Sequence, residues 1–184
     1  MPTQKITKQN LIQNSIRTFR EKGYYRTSMS DLALASGLTK GAFYHHFKNK
    51  EEVMTSCLLS TFHFFKDQVF SIAYEEELKI SERLDKMAQV IFNIFSKEVG
   101  GCYFANTILE TAHVEDVFND IIKKFFSMWE KAMIYLFSTK YPLDKARELS
   151  IQSIVDIEGS IILMQLHNDT LYLKNSLNRI VNLY

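Results

Sequence analysis

The 184-residue chain has little that would break a helix: two prolines and six glycines. Few positions are therefore forced out of helical geometry, which favours an all-α fold over a strand-rich one. Cysteine is also scarce. Cys57 and Cys102 stand far apart with no CxxC spacing, which excludes a disulfide framework and a zinc ribbon. No run approaches the roughly 18 uninterrupted apolar residues of a membrane span, and the opening MPTQKITKQN lacks the apolar core of a signal peptide. The expectation is a cytoplasmic protein with no membrane partner. The five histidines are scattered and no nucleophile–base pair or carboxylate pair emerges, so no catalytic residue is assigned and the protein is not expected to be an enzyme.

What is present is a charge asymmetry beneath a net charge of only +1. Residues 1–50 carry nine Lys and Arg against two acids, a balance of +7, and the remainder carries thirteen against nineteen, a balance of −6. A basic first quarter on a mildly acidic body suggests a polyanion-binding head joined to a body that binds something else. A solvated helix face would show the same charges.

Apolar residues recur at helical spacing almost throughout. Ile12, Ile16 and Phe19 share one face of a first helix closed by Gly23. Thr27 or Ser28 can cap a second helix ending near Gly37, and Thr39 a third running through Phe43 and Phe47. A long fourth helix extends from Lys48–Glu51 to about Val69. After a polar break at Tyr74–Glu77, Ser81 can cap the next helix, and Gly100-Gly101 precede a helix over Cys102–Thr111. Further helices are expected over Val114–Thr139, 143–167 and 169–182, about nine in all. The chain divides near residue 50, into a basic head at 1–50 and a longer helical body at 51–184.

Residues 28–47 meet the steric demands of a helix-turn-helix. Ala33 is small where two helices cross, Gly37 tolerates the turn, and Phe43 locks the pair. Thr39, Lys40 and Gly41 fall at the start of the third helix, the end that a recognition helix presents to base edges. Gly41 removes a side chain where backbone must approach DNA. Tyr44, His45 and Lys48 are placed to donate to phosphates, with Thr27 and Ser28 doing the same at the second helix. Each has a plainer alternative: Thr39 as a cap alone, Tyr44 as a packing partner of Lys48. Adjacent His45 and His46 diverge on a helix, so no metal and no cofactor are expected.

The run Thr27-Ser28-Met29-Ser30-Asp31-Leu32-Ala33, then Ser36-Gly37-Leu38-Thr39-Lys40-Gly41-Ala42-Phe43-Tyr44-His45-His46-Phe47, then Lys50-Glu51-Glu52-Val53 closely resembles the DNA-binding domain of the TetR family. That pattern runs T-x-x-x-I-A-x-x-A-G-V-S-x-G-x-L-Y-x-H-F-x-x-K-E-x-L. The departures, Leu32, Ser36, Thr39, Phe43 and Val53, remove no DNA-contacting group. The resemblance implies a DNA-binding domain at 1–50, an effector-binding and dimerisation domain at 51–184, a homodimer on a palindromic double-stranded operator and a ligand pocket within the C-terminal helices. It implies a repressor released by a small hydrophobic or electrophilic effector; a constitutive DNA-binding module without effector is the alternative.

For the dimer, the penultimate helix carries Ile151, Ile154, Val155, Ile157, Ile161, Ile162 and Met164, with Gly159 permitting close approach. A central core helix of a monomer would look similar. For the pocket, the candidates are Phe62, Phe65, Phe92, Tyr103, Trp129 and Met133 as walls and Asn106 and Glu110 as polar groups. The segment Gly101-Cys102…Asn106…Glu110 resembles the G-C-x-x-x-N-x-x-x-E stretch of a TetR subgroup that includes sensors of electrophiles. At a helix start beside two glycines, Cys102 would be an accessible, acidified thiol; it would equally serve as a small buried residue.

Overall fold

A computed structural model describes residues 7–97, 100–114 and 116–184. Among these residues there are nine α-helices and no strand. They are α1 (Lys8–Lys22), α2 (Met29–Ala35), α3 (Lys40–Tyr44), α4 (Lys50–Gln68), α5 (Ile80–Lys97), α6 (Tyr103–Thr111), α7 (Asn119–Phe137), α8 (Leu143–His167) and α9 (Leu171–Val181). A short 3-10 turn, Phe70–Tyr74, links α4 to α5. The all-α expectation is met.

Local chemistry sets most helix starts. Thr7 with Asn10, and Ser28 with Asp31, form reciprocal capping boxes, and Thr39 Oγ1 accepts the Ala42 N–H at 3.2 Å. Asn49 accepts from Glu52 N at 2.8 Å at the head of α4. At α5 the Glu82 carboxylate accepts the Lys79 N–H at 2.8 Å, so Ser81 lies inside the helix rather than capping it. Two other boundaries differ from expectation. α3 stops at Tyr44 because Phe47 folds back, its ring 5.3 Å from that of Phe43. α7 begins at Asn119 rather than Val114 because buried Phe118 turns inward, edge-on to Tyr24 at 5.2 Å.

The head, α1–α3 and the start of α4, encloses Leu11, Phe19, Leu32, Ala33, Phe43, Phe47 and Val53. The body is organised by α7, which packs on α4, α6, α8 and the 3-10 turn. Its centre is aromatic: Phe104 and Phe125 stack at 3.8 Å and 10°, and Phe65, Phe70 and Trp129 surround Phe125 at 5.3 to 6.1 Å.

α8 has two unlike faces. Ser150, Ser153 and Ser160 turn inward and satisfy their hydroxyls on carbonyls of their own helix, so α7 and α9 can approach. Ile157, Ile161 and Met164 are buried within the monomer, which removes them from the surface expected to meet a second copy. Ile151, Val155 and Ile162 do face outward, joined by Leu163 and Leu166, the latter 73% exposed. By length and composition this one helix among the described residues could cross a membrane. Asp156 and Glu158 interrupt its sequence, however, and α7 and α9 flank it.

Candidate nucleic-acid interface and sensing region

The helix-turn-helix is fixed from within. Leu32, Ala33 and Phe43 are buried, and Gly37 turns the chain at φ +67°, a conformation that costs glycine least. The turn is closed by Leu38 N–H on the Ala33 carbonyl at 2.9 Å. This leaves Thr39, Lys40, Gly41, Tyr44, His45 and Lys48 exposed. A Cβ added at Gly41 would meet no atom within 4 Å, and its φ is not positive. Nothing inside the fold requires glycine there.

The two residues before α2 behave differently from each other. Thr27 is only 2% exposed and its hydroxyl donates to the Gly23 carbonyl at 2.6 Å. Its side chain locks the α1–α2 turn and does not present a donor to solvent, which corrects the expected phosphate contact. Ser28 is exposed while capping α2. Asp31, the other half of that box, also accepts from Lys22 at 2.6 Å, and these bonds hold its carboxyl far below the usual carboxylate range.

The Tyr24 backbone helps tie head to body. The Tyr24 N–H donates to Glu110 Oε2 of α6 at 2.7 Å, and the Tyr24 carbonyl accepts from Lys50 Nζ of α4 at 2.8 Å. The Lys50 ammonium lies 4.3 Å over the Tyr24 ring. A Cβ on Gly23 would come within 2.6 Å of the Glu110 carboxylate, and one on Gly100 within 3.1 Å of the Arg20 carbonyl. Glu110 therefore points at the head, not into a pocket. Asn106, also expected in the pocket, donates to the Gly100 carbonyl and braces the turn that opens α6. The Gln165 side chain of α8 lies against Gly100 and Gly101. α6 is thus a strut, tied to α8 at its start and to the head at its end.

The remaining candidates do not converge on a cavity. Phe62, Phe65, Tyr103, Trp129 and Met133 are buried core. The Tyr103 hydroxyl donates to Met54 Sδ at 2.8 Å. Phe92 instead lines a separate α5–α9 cleft of about 250 Å³ with Ala88, Leu177 and Val181. Cys102 is 4% exposed; burial, then the neighbouring Glu158 carboxyl, push its thiol well up, not down. Of the two readings of Cys102, the small buried residue fits and the accessible, acidified thiol does not: burial outweighs any help from the helix start.

The sequence reading missed a groove of about 450 Å³ between α6, α7 and α8. Ile108, Ile122, Phe126, Ile151, Ile154 and Val155 form its walls, with Asn119, Lys123, Ser127 and Glu130 along one edge. That edge was legible: positions 119, 123, 127 and 130 make a polar stripe on one face of α7. Asn119 Oδ1 on this edge, Glu158 Oε1 of α8 and Trp129 Nε1 in the aromatic core are buried without a hydrogen-bond partner.

Known proteins match both halves. The family model described as bacterial regulatory proteins, tetR family, matches residues 11–57. The model for the C-terminal domain of LmrA/YxaF-like transcriptional regulators matches residues 79–178. Among curated relatives, the HTH-type transcriptional repressor DhaR of Mycobacterium sp. (strain GP1) is 25% identical over 124 residues, 67% of this chain and 62% of that protein. The HTH-type transcriptional regulator TtgR of Pseudomonas putida is 32% identical over 93 residues, 50% of this chain and 43% of that one. The chain thus spans less than two-thirds of the length of these relatives. Over nearly the whole chain the fold matches a TetR transcriptional regulator from Legionella pneumophila, with a TM-score of 0.86 at 20% identity, covering 98% of this chain and 97% of that one. NemR of E. coli in its reduced form matches with a TM-score of 0.78 at 17% identity, covering 95% of each chain. With a helix-turn-helix head and an LmrA/YxaF-like body on one all-helical frame, the chain belongs to the TetR family of transcriptional regulators.

Proposed function

We propose that the protein is a homodimeric repressor that holds a palindromic operator through α3 and is released from it by a small-molecule effector, acting in the cytoplasm. The observation that carries the reading is the α3 surface. Lys40, Gly41, Tyr44, His45 and Lys48 stand clear of the fold on an element locked by Phe43 and Phe47, and Gly41 is a glycine the fold does not need. Lys40 reads base edges; Tyr44, His45 and Lys48 bind phosphates, with Ser28 beside them. The outward apolar face of α8 supports the dimer, which spaces two recognition helices roughly 34–36 Å apart, one turn of DNA. Residues 1–50 form the reading head, and residues 51–184 the sensing body.

Control follows from the strut. An effector that binds one arrangement of α6 and α8 more tightly shifts the head through Glu110 and Tyr24, by no more than its differential affinity. With Cys102 buried, the effector is read as a reversibly bound apolar molecule and not as a thiol-modifying electrophile. The aromatic filling of the body favours one other reading, a constitutive DNA-binding module; the α6–α8 groove speaks against it.

Mobility shift on the DNA upstream of the protein's own gene, with competitor and a salt series, separates these. A competitor-resistant complex at dimer stoichiometry is expected. Binding that vanishes with competitor and depends only on salt would favour the unregulated module.

A further inference from the structure

Most side chains that meet an oxidant first are shielded in this fold. Cys57 and Cys102 are free thiols but buried, and Met54, Met87, Trp129 and Met133 are buried as well. Two tyrosines are not. Tyr74, the last residue of the 3-10 turn, is 49% exposed, and Tyr135 of α7 is 38% exposed. Their ring centroids lie 4.8 Å apart at an interplanar angle of 42°, close enough for ring atoms to touch. Both rings line an open groove of about 680 Å³ with Lys131, Ile134, Leu143 and Arg147, so a small reagent reaches them from solvent. A second tyrosine pair, Tyr24 and Tyr25 at 5.3 Å, has one ring buried.

We propose that Tyr74 and Tyr135 form an oxidative cross-linking site, where a one-electron oxidant joins the two rings as dityrosine and clamps the 3-10 turn to α7. Each phenol gives up one electron and one proton, and the electrons reduce two equivalents of the oxidant. The two phenoxyl radicals couple through ring carbons ortho to oxygen, forming one C–C bond. Each coupled carbon then loses its proton to water and each oxygen takes one back, which restores both phenols. The product is lighter by two hydrogen atoms. Burial, then the neighbouring Tyr135 phenol, raise the Tyr74 phenol above its usual range, so its proton leaves with the electron. The bond has a structural consequence. The turn Phe70–Tyr74 follows α4, whose first residues belong to the head, and α7 packs on both α4 and the turn. A link from 74 to 135 closes a loop around α5 and α6 and fixes the far end of α4 to α7.

The test is brief oxidation of the full-length protein by photo-oxidised tris(bipyridine)ruthenium with persulfate, at limiting oxidant. Dityrosine fluorescence should appear in a species that stays at monomer mass in denaturing electrophoresis. Mass spectrometry should find the peptides carrying residues 74 and 135 joined, lighter than their sum by two hydrogens. Tyr74→Phe and Tyr135→Phe should each lower total dityrosine by at least about tenfold, because rings already in contact couple far faster than rings that must meet. Tyr172→Phe removes another exposed ring, one that stacks on His167 rather than on a tyrosine, and should leave the yield unchanged. Oxidation in urea should abolish the link, and the linked native protein should unfold at a higher urea concentration than the unlinked one. The site is overturned if the joined peptides are absent or form equally well in urea. It is also overturned if either variant, shown by circular dichroism to be folded, keeps the wild-type yield. Linked and unlinked proteins that unfold together would overturn the clamp.

Discussion

The head and the body turn opposite kinds of surface outward. The head buries a small core and shows Lys40, Tyr44, His45 and Lys48 on α3, a surface suited to a polyanion. The body shows Ile151, Val155, Ile162, Leu163 and Leu166 along α8 and Leu171 on α9, a surface suited to another apolar one. Their interiors differ as well. In the head, three helix starts are closed by side chains three residues away, so its geometry is set locally. The body is held instead by rings far apart in sequence, with Phe125 of α7 between Phe65, Phe70 and Phe104. The Tyr24 backbone, held by Lys50 at the start of α4, donates its N–H to Glu110 of the body and helps join the two.

The contrast can be broken at several points. The largest effect on function is expected from Leu166→Asp, which puts a charge on the apolar outer face. Sedimentation should show monomers, and operator affinity should fall by about a hundredfold or more, because half-site binding alone is weak. A dimer that persists would mean the interface lies elsewhere. The largest effect on stability is expected from Phe125→Ala, which empties the centre of the aromatic cluster. It should cost about 3–5 kcal/mol in chemical denaturation.

Glu158 sharpens the comparison through pH. Burial raises its carboxyl to about 7 from an ordinary 4.5. The folded state therefore holds the proton more tightly than the unfolded chain does. Its contribution is full below about pH 4.5 and is lost as pH rises toward 7, by up to about 3 kcal/mol. Wild type should lose stability relative to Glu158→Gln across that window and stay level above it. Parallel melting profiles for the two proteins would remove Glu158 as the cause. A smaller change, about 1–2 kcal/mol, is expected for Glu110→Ala, which deletes one charge-assisted hydrogen bond between the halves. Hydrogen exchange should rise at the amides of residues 23–25 more than in the core of α7.

How much of this was legible depends on the range of the interaction. Ser28, Thr39 and Gly37 were readable because a cap or a turn is decided within a few residues. The outcome at Thr27 depended on a buried turn whose acceptor, the Gly23 carbonyl, is four residues back. Glu110 looked like a pocket residue because its partner, Tyr24, lies 86 positions away. Cys102 stayed between two readings because its place at a helix start is local, while its burial beside Glu158 of α8 is not. The α7 boundary moved for the same reason: Phe118 leaves helical register to meet Tyr24.

Gly41→Leu tests the central claim most directly, because the structure leaves open space around that position. Melting temperature and operator affinity should be measured on the same preparation. The account predicts an unchanged or slightly raised melting temperature, since leucine favours a helix over glycine, together with a loss of operator binding of at least about tenfold. An operator affinity equal to wild type, in a protein that melts normally, would show that the α3 surface does not meet DNA.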